Sequence, residues 1–126
     1  MSDITMIEPA GAACHRYARR TPMLSSPFLD EIAGRRVLVK AEALQHSGSF
    51  KFRGGWAAVS ALPEAARKAG VVAFSSGNHA QGVAMAARAH GAPAVIVMPE
   101  DSPASKLAST RALGAEVVTY DRNNPD

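Results

Sequence analysis

Val71-Val72-Ala73-Phe74-Ser75-Ser76-Gly77-Asn78-His79-Ala80-Gln81-Gly82 opens as an apolar run of strand length and breaks into a polar, glycine-bearing loop. A helical stretch, Val83 to His90, follows and is stopped by Gly91. Continuous apolar runs of this length are what a parallel sheet covered on both faces requires, so the segment predicts a strand, a loop and a helix. The same unit recurs on either side. Downstream, Ala94-Val95-Ile96-Val97-Met98 reads as a strand, Ser102-Pro103 to Leu113 as a capped helix closed by Gly114, and Glu116-Val117-Val118-Thr119-Tyr120 as another strand. Upstream, Val37-Leu38-Val39 starts a β-rich run to about Glu42, and a loop ending at Ser49 delivers a helix that runs through Trp56 to Leu62. Glu64 to Ala69 forms a short helical stretch ended by Gly70. Strands alternating with helices at short loops predict right-handed βαβ units, hence an α/β fold with a parallel sheet of four strands and flanking helices.

The first 35 residues read differently. Ala10, Ala13, Cys14, Tyr17 and Ala18 recur at helical spacing, with arginines on the other side, which predicts an amphipathic helix from Pro9 to Arg19, ended by Thr21-Pro22. Ser26-Pro27 then opens a second short helix as cap and first position, closed by Gly34. With no strand expected between these pieces, residues 1–35 read as an N-terminal helical arm and residues 36–126 as a small α/β domain. Asp121 to Asp126 follow the last strand as a polar tail. A parallel sheet that stops straight after a strand is topologically unfinished, so the chain is expected to be the front part of a longer fold.

The 126 residues are enough for one domain with a sizeable core. The single cysteine, Cys14, cannot form an internal bridge and reads as a small buried hydrophobe; with no signal peptide pattern and no apolar run of about 18 residues, a cytoplasmic protein without membrane attachment is expected. The net charge of +3 comes from two clusters, Arg16/Arg19/Arg20 and Arg35/Arg36, with the other cations scattered among carboxylates. Aromatic residues do not alternate with these cations, so solvated basic faces rather than nucleic-acid binding are expected. His15, His46 and His90 have no metal-ligand spacing, and no metal is assigned.

Two loops carry the chemistry. In Ser47-Gly48-Ser49-Phe50-Lys51-Phe52-Arg53-Gly54-Gly55 a lysine flanked by two rings falls in the first turn of a helix, which Ser47 or Ser49 can cap. A cation is disfavoured there by the helix dipole, so stability alone does not choose the placement. Arg53 and the apolar flanks act in the same direction on the amine, and a lysine with a free amine can condense with a carbonyl to form a Schiff base. A surface lysine with its stem on Phe52 is the plainer alternative. The Ser76-Gly77-Asn78-His79 loop suits an anion, since Gly77 permits close approach or a positive φ and the next helix opens with unpartnered N–H groups. Capping by Asn78 and Gln81 would also account for it. Ligands of open α/β sheets bind beyond the carboxyl ends of the strands, so both loops, each read as following a parallel strand, are expected to face one crevice. The absence of Gly-x-Gly-x-x-Gly after a strand and of a Walker loop argues against a nucleotide-binding half-domain.

Lys40-Ala41-Glu42, Gln45, Ser49-Phe50-Lys51-Phe52-Arg53-Gly54, Ser75 through Gly82, Val97-Met98-Pro99 with Pro103 and Lys106, and Leu113-Gly114-Ala115 together resemble the threonine/serine dehydratases and serine racemases, pyridoxal-phosphate enzymes of the tryptophan synthase β-like fold. The resemblance covers nearly all of the chain from Arg20 onward. It implies that Lys51 holds pyridoxal 5′-phosphate and removes the substrate α-proton, that Phe50 packs on the cofactor's pyridine, and that Asn78 hydrogen-bonds its 3-hydroxyl. Ser75, Ser76, Gly77, Asn78 and His79 resemble the loop for the substrate carboxylate, and Ser76 matches the second acid/base of racemases. The implied reaction is an ammonia-lyase β-elimination on a small hydroxy amino acid, serine or threonine, giving a 2-oxo acid and ammonia, with racemization as an alternative. The family's phosphate-binding glycine loop, the residue facing the pyridine nitrogen and most of its large domain have no counterpart in these 126 residues. Weak cofactor retention and little turnover by this chain alone are therefore expected, along with self-association or a missing large domain to cover exposed apolar surface. A non-catalytic α/β domain or interaction module is the remaining alternative.

Overall fold

The computed structural model describes residues 4–124. Its centre is a three-stranded parallel sheet of β3 (Val71–Phe74), β4 (Ala94–Pro99) and β5 (Glu116–Tyr120), in the order β3-β4-β5. Ala73 lies opposite Ile96, and Ile96 opposite Val117. The crossovers are α5 (Asn78–Ala89) and α6 (Ala104–Ala112). The central strand alternates as an apolar sheet must: Ile96 and Met98 are fully buried against Ala80, Ala84 and Ala87 of α5. Burying each such large side chain contributes about 1.5–3 kcal/mol.

The other face of this sheet is open. Val72 and Phe74 of β3 are 75% and 78% exposed, and Val118 and Tyr120 of β5 also face out. The expectation of a strand covered on both faces is thus corrected: only the α5 side is covered, so the apolar run reflects a face bare among the described residues.

The N-terminal region differs from the expectation in three ways. α1 spans Ile4–Cys14, not Pro9 to Arg19, and Pro9 sits inside it. A short strand, β1 (Met23–Ser25), does lie between α1 and α2 (Pro27–Ala33), and pairs antiparallel with β2 (Leu38–Lys40), Met23 opposite Lys40. Consequently β2 is no part of the parallel sheet, which has three strands rather than four. α2 ends as read, on Gly34 at φ +63°.

The second core holds α3 (Lys51–Ala61) in place; α4 (Glu64–Ala69) follows it. Phe52, Trp56 and Val59 of α3 are buried with Cys14 and Ala86. Trp56 Nε1 donates to Ala13 O at 2.9 Å and its ring lies 4.1 Å from that of Tyr17, which fastens the end of α1 to α3. Cys14 is buried as expected, its thiol donating to Arg53 O at 3.2 Å; burial pushes the thiol pKa up.

Helices α3 and α5 touch through glycine. A β-carbon on Gly55 would lie 2.8 Å from Gly82 O, and one on Gly82 would lie 2.8 Å from Lys51 O. Both distances are below any real contact, so two backbones meet where side chains would keep them apart.

Candidate active site

Lys51 reaches its position by a route the strand-end rule did not anticipate. The chain leaves β2 through two 3-10 turns, Glu42–Leu44 and His46–Gly48, rather than from the carboxyl end of a parallel strand. Ser47 and Gly48 both have left-handed backbone, φ +58° and +70°, and this reverses the chain just before α3. The turns are held from behind by polar contacts. Gln45, 2% exposed, donates from Nε2 to Arg19 O at 2.9 Å and accepts from Arg19 N at 2.9 Å. Arg53 grips Glu42 through Nε and an η nitrogen, both at 2.8 Å, and the Thr21 hydroxyl donates to the same carboxylate. The hydrogen bonds from Arg53 lower the Glu42 carboxyl to about 2, against the opposing effect of burial. The guanidinium expected to crowd Lys51 is therefore engaged with Glu42.

The cap of α3 is also not as expected. Phe50 occupies the N-cap position, and the buried hydroxyls of Ser47 and Ser49 have no protein partner. Lys51 is the first helical residue, with Nζ 4.8 Å from the Phe50 ring centroid. Lys51 is exposed, whereas the neighbouring Phe52 is 3% exposed. Among the described residues the Lys51 amine has no hydrogen bond or ion pair.

The second loop is shorter than read, because α5 begins at Asn78 instead of Val83. Asn78 and His79 thus sit in its first turn, where N–H groups lack intrahelical acceptors. Gly77 does not use left-handed backbone, its φ being −162°, yet the space where its β-carbon would stand is empty for 4 Å. Ser75 Oγ accepts from Gly77 N at 3.2 Å and closes the turn. The Asn78–Gln81 capping box does not form: α5 has no side-chain cap, and Asn78 Oδ1 accepts from Lys106 Nζ at 2.6 Å.

Both loops open on one cleft of about 590 Å³. Lys51, Ser75, Ser76, Gly77, Asn78 and His79 line it together, while Phe50 lies beneath the lysine amine and is not in its wall. Phe74, Pro99, Tyr120 and Arg122 complete the wall, and sequence reasoning missed them as site residues. Their signal was available in part, since Phe74, Pro99 and Tyr120 end the three parallel strands, where ligands of such sheets bind. Arg122 is engaged with Asp101 at 2.8 Å.

The donor set fits a carbonyl-bearing aromatic phosphate cofactor at its reactive end. It supplies an unpaired amine, an amide in the same cleft, and a helix N-terminus with an open glycine for a carboxylate. These groups can bind an anion and move a proton at a carbon held between them.

A family model described as "Pyridoxal-phosphate dependent enzyme" matches residues 15–126. The chain is 59% identical over 110 residues to an L-threo-3-hydroxyaspartate ammonia-lyase of Pseudomonas sp, covering 87% of this chain and 34% of that protein. Maize serine racemase superposes with a TM-score of 0.89 at 40% identity, covering 95% of this chain and 36% of that one. A structure of T.th. threonine deaminase gives 0.82 at 48% identity, covering 98% and 38%. The chain thus spans about a third of the length of the relatives it matches.

Proposed function

The chain belongs to the pyridoxal-phosphate dependent enzyme family, and from that premise we propose that it carries the lysine half of an ammonia-lyase site for small hydroxy amino acids. Pyridoxal phosphate is the cofactor of this family, and when bound it supplies an electron sink for charge developing at the substrate α-carbon. The observation that carries the reading is the meeting of Lys51 with the Ser75–His79 turn in one cleft.

In this reading the amine of Lys51 would hold the cofactor and would take the α-proton. The N–H groups around Gly77, Asn78 and His79 bind the substrate carboxylate, and the open side of Gly77 lets it approach. The Asn78 amide would hold the cofactor by its 3-oxygen. Phe50, 59% exposed and beside the amine, offers a ring for the pyridine to pack on. Ser76 would serve as the second proton-handling group, and loss of the β-hydroxyl would leave an enamine that water hydrolyses to a 2-oxo acid and ammonia. Serine, threonine and L-threo-3-hydroxyaspartate are the substrates to test; the names of the relatives support this set.

Racemization is the second reading. It is favoured by Ser76 and Lys51 sharing the cleft, since two proton-handling groups can serve two faces of one carbon.

We further infer two units, the arm of residues 1–35 and the α/β domain of residues 36–126, with the bare face of the sheet covered in the working protein by more polypeptide or by a second copy. The relatives' threefold greater length and the exposure of Val72 and Phe74 support this.

Reduction with borohydride in the presence of pyridoxal phosphate, followed by peptide mapping, tests the lysine; a label on Lys51 is expected. Turnover is tested in a fusion to the C-terminal two thirds of the Pseudomonas relative. Ammonia and 2-oxo acid from any of the three substrates, absent in Lys51→Ala, support the lyase. Exchange of stereochemistry without ammonia, lost in Ser76→Ala, selects the racemase.

A further inference from the structure

We propose that Lys106 is a positioning residue for Asn78, fixing that amide as a hydrogen-bond donor toward the cleft; its consequence for the cofactor rests on the reading above. The contact is Lys106 Nζ to Asn78 Oδ1, 2.6 Å, from α6 to the first turn of α5. An ammonium group only donates, so the atom it meets must be the amide oxygen. Turning the amide over would set its NH2 against NH3+, donor to donor. The oxygen is therefore committed to Lys106, and the Nδ2 end of a residue that lines the cleft is left for a ligand acceptor.

Two further observations show that Lys106 is placed for this. It lies in the first turn of α6, which contains no acidic residue, and a cation is disfavoured there by the helix dipole. Helix stability thus gives no reason for it. Its backbone is also pinned at both ends: Lys106 N donates to Pro103 O at 2.8 Å, and its carbonyl accepts from Thr110 Oγ1 at 2.8 Å. Thr110 is fully buried, so the lysine rises from a fixed point of the core.

The chemical result is selectivity for an acceptor. A phenolate oxygen would accept from the fixed amide, whereas a protonated hydroxyl would find no acceptor on Asn78. With a positive charge behind it, the fixed donor would favour the deprotonated form of an oxygen bound there.

The test uses the full chain with Lys106→Met and Lys106→Arg. In cofactor-free protein, NMR contacts from the Asn78 amide protons toward the cleft are expected in the parent and with arginine, which also only donates, and are expected to be lost with methionine. Unchanged contacts in Lys106→Met overturn the proposal whatever the cofactor does. In protein loaded with pyridoxal phosphate, the pH midpoint of the visible band is expected to rise by about one unit in Lys106→Met and to return with arginine. An unmoved midpoint overturns the electrostatic consequence. Failure of the parent to form any band that depends on Lys51 instead overturns the functional reading, while the NMR result still decides the positioning.

Discussion

Gly82 stands against the carbonyl of Lys51 so closely that a β-carbon on it would come within 2.8 Å of Lys51 O. Gly55 makes the reciprocal contact one turn along α3, with Gly82 O at 2.8 Å from its missing β-carbon. The two glycines let α3 lie on the helix that opens with Asn78, so the first turns of both helices reach the same cleft.

Gly82→Ala therefore forces the helices apart. Overpacking of this kind costs about 1–3 kcal/mol. Urea unfolding should show that loss, and modification of Lys51 by pyridoxal phosphate should fall with it under conditions where the variant remains folded.

Glu42 gives the fold a pH dependence. Its carboxyl titrates at about 2 in the folded chain against an ordinary 4.5. The unfolded chain binds the proton more readily, so this stabilisation is complete above the ordinary value and is lost as pH falls from about 4.5 toward 2. Stability measured across that window should fall less steeply in Glu42→Gln, which should also be less stable than the parent at pH 7, because Arg53 and Thr21 lose their charged acceptor.

Trp56 ties α1 to α3 by its ring and by one hydrogen bond to Ala13 O. Trp56→Phe keeps an aromatic ring but removes the donor, at a cost of about 1–3 kcal/mol from the unpartnered carbonyl and the smaller ring. Chemical denaturation should register that loss, together with faster amide exchange in α1.

The strands β3, β4 and β5 were legible from their apolar runs, as were the Gly34, Gly70, Gly91 and Gly114 stops. β1 was not, because three residues between Pro22 and Pro27 carry no periodicity to read. With β1 missing, β2 had no visible partner and fell to the parallel sheet. The convergence of Lys51 and Asn78 on one cleft follows from the sequence by a reason that holds for Asn78, which follows parallel strand β3, and fails for Lys51. The end of β3 places Asn78, whereas a glycine contact between helices brings Lys51 to it. A signal for that contact did exist, since Gly54-Gly55 inside a helix is costly unless something approaches closely. The bond from Lys106 to Asn78 had no such signal, because two residues 28 apart in sequence meet only through packing of α5 on α6.

The most direct measurement is the site of borohydride-fixed pyridoxal phosphate on this chain. The account predicts one pyridoxyl group, on the peptide containing Lys51, and its disappearance in Lys51→Ala with stability unchanged. Label spread over Lys40, Lys68 and Lys106, or undiminished in Lys51→Ala, would contradict it.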